Sequence, residues 1–226
     1  MDPLSLALEA APKALVYVAV LLAVGTCAAR SLFRRRVSFD APPHAAALVD
    51  RTCASLAITA ALLAAVGLLL RAWGHTAASF GIIEAFDWQN LRLIAWESDW
   101  GGGWRRQCAA ALVFGVCAWS ITQWGDAGWS LADLGAVALC YAIPLTGHAA
   151  GEPGPLLLHG THVLAGGLWL GTLTATALVT HVAGAGDVRV APGEPPSLRP
   201  DMLARFFPLA LTGAVVALAT GLAEVV

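Results

Sequence analysis

Six long apolar stretches, separated by shorter polar ones, run along the chain of 226 residues. A helix that crosses the hydrocarbon core of a bilayer needs about 20 predominantly apolar residues, and each stretch is close to that length. The pattern predicts an all-α membrane helix bundle that forms a single domain over residues 1–226. The predicted spans are residues 12–32, 51–73, 104–123, 131–148, 156–181 and 205–223.

The segment between the second and third predicted spans has a different pattern. Over residues 82–96, apolar side chains recur at roughly helical spacing and charged side chains take the other faces. This pattern predicts one amphipathic helix that lies on the outer membrane interface. Four tryptophans in or beside the segment are expected at the level of the lipid headgroups: Trp88, Trp96, Trp100 and Trp104.

The composition agrees with a polytopic membrane protein, whose first partner is the lipid bilayer. Hydrophobic residues make up 58% of the chain and charged residues 12%, which is about half the charged fraction of a soluble domain. With a formal net charge of -2 and no basic tract, the chain is not expected to bind nucleic acid.

Small residues within the spans are expected to let the helices pack closely against one another. The five cysteines form no CxxC pair and lie in or beside apolar runs, so we predict small buried residues and no disulfides. In the fifth span, Gly167 and Gly171 have the spacing GxxxG. Such spacing predicts that a neighbouring helix approaches closely.

Arginines cluster around the loop between the first and second spans. Cytoplasmic loops carry an excess of Lys and Arg, so we expect this loop in the cytoplasm and the N-terminus outside. The flanking arginines are Arg30, Arg34, Arg35, Arg36 and Arg51. In this topology Arg92, Arg105 and Arg106 lie outside. They reduce the difference in charge between the two sides but do not reverse it.

Three of the six histidines occur within fifteen residues, in the stretch "TGHAAGEPGPLLLHGTHVLAGGLWLG". In the predicted topology His148, His159 and His162 all lie at the outer ends of spans, and so does His75. His159 and His162 are three residues apart, so they share one face of a helix. The Gly/Pro turn after His148, which contains Glu152, would fold the third imidazole back toward them.

Neutral imidazoles are suitable ligands for copper, zinc and iron. We therefore predict a metal site formed by His148, His159 and His162, with His75 and Glu152 as weaker candidates. The chain has two methionines, which are too few for a ladder of thioether ligands, so a copper site would consist mainly of imidazole. Interfacial histidines can also cap helices or bond to carbonyls, and that alternative stays open.

A b-type haem is a second interpretation of the same four histidines. A bis-histidine haem lies between spanning helices and takes one ligand from each, so His75 or His148 would pair with His159 or His162. Most of these residues lie at helix ends, where protein would surround a haem poorly. No catalytic residues are predicted, and no enzymatic activity is expected unless the haem interpretation holds.

Three stretches together resemble the copper resistance protein D (CopD) family of bacterial inner-membrane proteins. They are "TGHA" followed by "LHGTHVLAGGLWLGTL", "LRLIAWESDWGGGWRRQ" and "RFFPLALTGAVVALATGL". The resemblance implies copper handling, usually described as copper uptake across the inner membrane. In that membrane, the orientation expected from the arginine excess places the N-terminus in the periplasm. His148 and His159 match the motif histidines of the family, whereas His162 is added on helix geometry alone.

Two departures from the family pattern affect the expected partners. The family commonly has Ser where this chain has Phe207, and commonly continues for about two helices beyond "TGLAEVV". Those helices are either absent or supplied by a further membrane subunit. A periplasmic copper-binding protein is the other expected partner. A role as the copper-delivery subunit of a membrane complex would use the same ligands and stays open.

Overall fold

The computed structural model describes residues 3–40, 43–147, 151–185 and 199–223. Over these ranges the chain forms eight α-helices: α1 (Pro3–Asp40), α2 (Pro43–Phe80), α3 (Trp88–Arg92), α4 (Asp99–Trp124), α5 (Asp126–Ala142), α6 (Pro153–Gly166), α7 (Thr172–Ala185) and α8 (Arg199–Ala223). Two 3-10 turns, Glu84–Phe86 and Ile143–Thr146, and two π-helical turns, Leu93–Glu97 and Gly167–Gly171, connect or interrupt them. The described ranges contain no strand, so the all-α prediction is confirmed.

Five of the six predicted spans coincide with segments that are long and apolar enough to cross a membrane. Within the described ranges these segments are Ala7–Arg34, Ala47–Phe80, Asp126–Thr146, Pro153–Val182 and Phe206–Ala223. The third predicted span, residues 104–123, lies in α4, which has 26 residues but is not among the five. Helix α4 carries Asp99, Arg105 and Arg106 in its first turns.

Helix α1 is the central element of the bundle. It contacts α2, α5, α6, α7 and α8, and one of its faces is almost completely buried. Val16, Val20, Ala23 and Val24 on that face are at most 4% exposed. Their spacing of three to four residues places them in one stripe along the helix, which explains why α1 can serve as the core of the bundle.

Large apolar side chains cover the outside of the bundle. Several leucines on different helices are more than 60% exposed: Leu62, Leu69, Leu112, Leu134 and Leu218. The buried set is instead rich in alanine. Lipid tails solvate leucine as well as a protein core does, whereas small residues let helices approach closely. This distribution is the one expected of a bundle surrounded by lipid.

Helix α1 and the fifth span meet backbone to backbone at Gly25 and Gly171. A Cβ atom on Gly25 would overlap the main chain of Gly171, and one on Gly171 would overlap the main chain of Leu21. Gly167, one turn earlier, faces Val24. The close approach predicted from the GxxxG spacing is therefore present, and the glycines lie in the π-helical turn between α6 and α7.

The two ends of the bundle carry different sets of polar residues. At the first, called here the arginine end, buried Arg30 contacts Asp50 at 3.1 Å and Asp126 at 2.8 Å, and Arg34 also pairs with Asp126. The guanidinium of Arg30 lies 4.9 Å from the ring centroid of Trp129. These contacts join α1, α2 and α5. The opposite end, called here the histidine end, carries His75, Thr146 and His159.

The predicted amphipathic segment is helical but consists of three short pieces. Asp87 has extended backbone angles and accepts a hydrogen bond from the backbone N–H of Gln89, so it caps α3 and separates it from the preceding 3-10 turn. Ile94 and Ala95 are buried, whereas Ile83 and Phe86 on the same predicted apolar face are 83% and 71% exposed. That face therefore packs on the bundle at one end of the segment only.

The four tryptophans expected at the headgroups have two different environments. Trp88 and Trp96 are 66% and 57% exposed, as residues in contact with lipid headgroups would be. Trp104 is buried, and its indole N–H donates to the carbonyl of Leu68 at 2.9 Å. Trp100 stacks on Trp104 with ring centroids 6.4 Å apart. Trp104 thus packs inside the bundle, where its polar N–H has a carbonyl partner, and its depth relative to the headgroups stays a prediction.

Candidate functional site

Two of the predicted metal ligands lie side by side on α6. This helix begins at Pro153, directly after Glu152, whose backbone is extended. Proline suits the first turn of a helix because its nitrogen needs no hydrogen-bond partner there. The spacing of three residues then brings His159 and His162 onto one face, with ring centroids 6.5 Å apart and ring planes inclined at 43°.

Each of these imidazoles is bonded to a different neighbouring helix. Nε2 of His159 lies 2.9 Å from the hydroxyl oxygen of Tyr17 on α1. Nδ1 of His162 lies 3.0 Å from the carbonyl oxygen of Ala217 and 3.1 Å from Oγ1 of Thr220, both on α8. A carbonyl oxygen only accepts, so Nδ1 of His162 carries a proton, and in the neutral imidazole Nε2 then carries the lone pair. A second-shell bond of this kind orients metal-binding histidines.

His75 belongs to a separate group of side chains at the same end of the bundle. Its Nδ1 lies 3.2 Å from Oε1 of Glu9 on α1. Its ring stacks on Trp100 with centroids 4.2 Å apart and planes inclined at 12°. These contacts hold the imidazole between α1 and α4, so His75 is fixed by its own partners and not by the pair on α6.

Of the three predicted histidine ligands, the structure describes His159 and His162. His148 lies outside the described residues. Glu152 is exposed and forms no side-chain cap on α6. Among the side chains that the structure describes, no three His, Cys, Asp or Glu residues come together as a metal site. The arrangement shown is thus an imidazole pair, to which His148, His75 and Glu152 remain predicted additions.

A cavity of about 720 Å³ opens at the histidine end, next to this pair. His159 and Tyr17 form part of its wall, together with the cations Lys13 and Arg71. The other lining residues are Val16, Ile143, Pro144, Thr146, Gly147, Gly154, Pro155, Leu158 and Ala223. The volume lies within the usual range of ligand sites, about 300–1,000 Å³. A ligand here would reach His159 directly.

A buried hydrogen-bond network supports one wall of the cavity. Arg71 donates from Nη1 to Oε1 of Gln107 at 2.7 Å and from Nη2 to Oγ1 of Thr146 at 2.8 Å. Gln107, which is fully buried, donates in turn to the carbonyl of Ile143 at 2.7 Å. The network joins α2, α4 and the 3-10 turn after α5, and it fixes the guanidinium in position.

Tyr17, Lys13 and Arg71 were not predicted as site residues. For Arg71 the sequence does contain a signal, because it follows the apolar run "LLAAVGLLL" within the second span. An ionisable residue inside a span is costly to desolvate and marks a functional candidate. Tyr17 and Lys13 share a face of α1 with Val16, but the sequence does not show that this face meets α6.

The haem interpretation finds no support in the contacts of the described histidines. His159 and His162 are neighbours on one helix, whereas a bis-histidine haem takes its ligands from two helices that face each other. Nδ1 of His75 is close to Glu9, and Trp100 stacks on one face of its ring. A haem between His75 or His148 and the pair on α6 stays a prediction.

The chain matches one family model, described as copper resistance protein D-like, N-terminal domain, over residues 5–158. This range is more than half of the chain, and it extends from α1 into the first turns of α6. His159 follows directly after its last residue. No curated protein and no solved structure matches the chain.

Proposed function

The chain belongs to the copper resistance protein D-like family, and we propose that it binds copper at the histidine end of the bundle and takes it up across the membrane. His159 and His162 are the first ligands in this proposal. The main support for this proposal is the proximity of the two rings, whose centroids are 6.5 Å apart. They lie beside a cavity, and His159 forms part of its wall.

The imidazole pair suits a copper ion because both rings can turn toward one point. Side chains at i and i+3 are neighbours on a helix surface, and metal–imidazole bonds are about 2.0 Å long. The proton on Nδ1 of His162 is held by the carbonyl of Ala217, which leaves Nε2 to bind metal. Two protein ligands leave positions open for a third group, such as His148, or for exchange with a donor protein.

In the proposed orientation the histidine end faces the periplasm of the bacterial inner membrane. The arginine end, with Arg30, Arg34 and Arg51, would then lie at the cytoplasmic surface, as the positive-inside rule requires. A periplasmic copper-binding protein is the proposed donor at the cavity. Any further membrane subunit would contact the exposed apolar surface of the bundle.

The proposal is tested by titrating Cu(I) into the purified protein in detergent, in competition with a chromogenic chelator. His159→Ala and His162→Ala should each weaken binding by at least about 10–100-fold, the loss typical of an outer-shell partner, because each removes a ligand itself. His181→Ala is the matched control, since His181 is exposed near the end of α7. If His159→Ala and His162→Ala both bind copper like the parent, the site is elsewhere.

A further inference from the structure

Arg71 carries a charge on a membrane-spanning helix without a carboxylate beside it. Its two hydrogen bonds go to neutral acceptors, the side chains of Gln107 and Thr146. No acidic side chain of the described residues lies within ion-pair distance of it. A guanidinium has five N–H donors. The two acceptors therefore use part of its hydrogen-bonding capacity and leave its charge uncompensated.

The contrast with the arginine end makes this arrangement unusual. There, buried Arg30 is paired with both Asp50 and Asp126. At the histidine end, the carboxylate of Glu9 lies beside His75, with Oε1 at 3.2 Å from Nδ1. A charge in a low-dielectric surrounding is stable only when it is paired or solvated. Arg71 is half-buried and lines the cavity, so the cavity is where a counter-charge can reach it.

The described wall of the cavity supplies a second cation beside Arg71. Lys13 on α1 lines it together with Arg71 on α2, and none of the described lining residues is Asp or Glu. Most of the remaining wall is apolar, so water screens charges in the cavity less than it does at an open surface. An anion that enters would be attracted by both cations. It would also meet a guanidinium that Gln107 and Thr146 already hold in place, which reduces the entropy lost on binding.

We propose that Arg71 and Lys13 form a binding site for an oxyanion, a carboxylate or phosphate group, in the cavity at the histidine end. Arg71 supplies the planar fork of donors that matches such a group, and Lys13 supplies a second charge from the opposite helix. The group can belong to a soluble anion or to the headgroup of an anionic lipid, because the cavity opens at the end of a membrane-spanning bundle. This site goes beyond the copper role and does not depend on it.

An oxyanion in this position would also affect a copper ion at His159. The ion would share the cavity with two cations, and a bound anion offsets their repulsion. Binding linkage is reciprocal, so copper would strengthen anion binding by the same factor.

The test uses the metal-free protein in dodecyl maltoside and follows its tryptophan fluorescence. The guanidinium of Arg71 lies 5.8 Å from the ring centroid of Trp100, so a bound anion should change the emission of that residue. Citrate and inorganic phosphate are the soluble probes, and phosphatidylglycerol in mixed micelles is the lipid probe. Sodium chloride at equal ionic strength corrects for general screening.

At least one probe should give a saturable change that chloride does not give, and the responding probe identifies the source of the oxyanion. Arg71→Gln and Lys13→Gln should weaken binding about tenfold or more, the loss expected for one charge-assisted hydrogen bond. Arg51→Gln, at the other end of α2 and exposed, should leave it unchanged.

The exposed position of Lys13 makes Lys13→Gln decisive even if Arg71→Gln does not fold. The absence of a saturable response to all three probes, or equal binding by Lys13→Gln and the parent, would overturn the proposal. Because copper is absent from the experiment, its outcome is independent of the copper titration.

Discussion

The hydroxyl oxygen of Tyr17 lies 2.9 Å from Nε2 of His159, so one proposed copper ligand is bonded to the central helix of the bundle. The other, His162, is bonded to α8 through Ala217 and Thr220. Each imidazole of the pair therefore has a partner on a different helix. A shift of α1 or α8 relative to α6 would change how the two rings meet.

Tyr17→Phe should strengthen copper binding. If copper binds Nε2 of His159, the hydrogen bond to Tyr17 is lost on binding, and its net worth is about 1 kcal/mol. Removing the hydroxyl should therefore raise the affinity about fivefold in the chelator competition. A lower affinity in Tyr17→Phe would mean that the hydroxyl orients the ring for binding through Nδ1.

Copper binding should weaken in acid. An imidazole must be neutral to coordinate a metal, so binding competes with protons, and free histidine titrates near pH 6.5. We expect the affinity to fall as the pH is lowered, because protons then compete with copper for the imidazoles. The competition titration at several pH values measures this. An affinity that is unchanged between pH 7.5 and pH 5 would exclude histidine ligands.

Gly171→Ala should destabilise the bundle, because its new methyl group would overlap the main chain of Leu21. Overpacking of a tight contact costs about 1–3 kcal/mol. Gly102→Ala is the matched control, since a Cβ atom there meets no other atom within 4 Å. The thermal unfolding midpoint in detergent should fall by several degrees in the first variant only. Equal midpoints would show that α1 and the fifth span can separate without loss of stability.

The orientation is open to a labelling experiment in a background without the five native cysteines. Both Glu152 and Arg51 are exposed, and they lie at opposite ends of the bundle. A membrane-impermeant maleimide should label Glu152→Cys in intact spheroplasts and should leave Arg51→Cys unlabelled until the membrane is permeabilised. The reverse pattern would place the histidine end in the cytoplasm.

The sequence predicts the helices well because each long apolar run has a direct physical meaning. Spans two, five and six each fall within a helix, or consecutive helical turns, that the structure shows. The structure of the amphipathic segment is harder to predict. The spacing alone indicates one helix, but Asp87 caps α3 and interrupts it. The burial of Trp104 does not follow from the sequence either, since its N–H bonds to a carbonyl on another helix.

The sequence predicts only those contacts of the site that lie within a single helix. The adjacency of His159 and His162 follows from their spacing on α6. The involvement of Tyr17, Lys13 and Arg71 depends on how α1, α2 and α6 pack against one another, and periodicity in a single sequence contains no information on that packing. His75 lies at the histidine end of the bundle, as the sequence predicts. Its contacts with Glu9 and Trp100, which keep it apart from the pair on α6, cannot be predicted from the sequence.

X-ray absorption at the copper edge of the loaded protein identifies the atoms that bind the metal. If His159 and His162 are ligands, the spectrum should show nitrogen at about 2.0 Å with the outer-shell scattering of imidazole rings, and this scattering should be lost when both residues are replaced by Ala. A sulfur shell at about 2.3 Å, or an imidazole pattern unchanged in the double variant, would contradict this assignment. In the first case copper would be bound by the cysteines of the bundle, and in the second by other histidines.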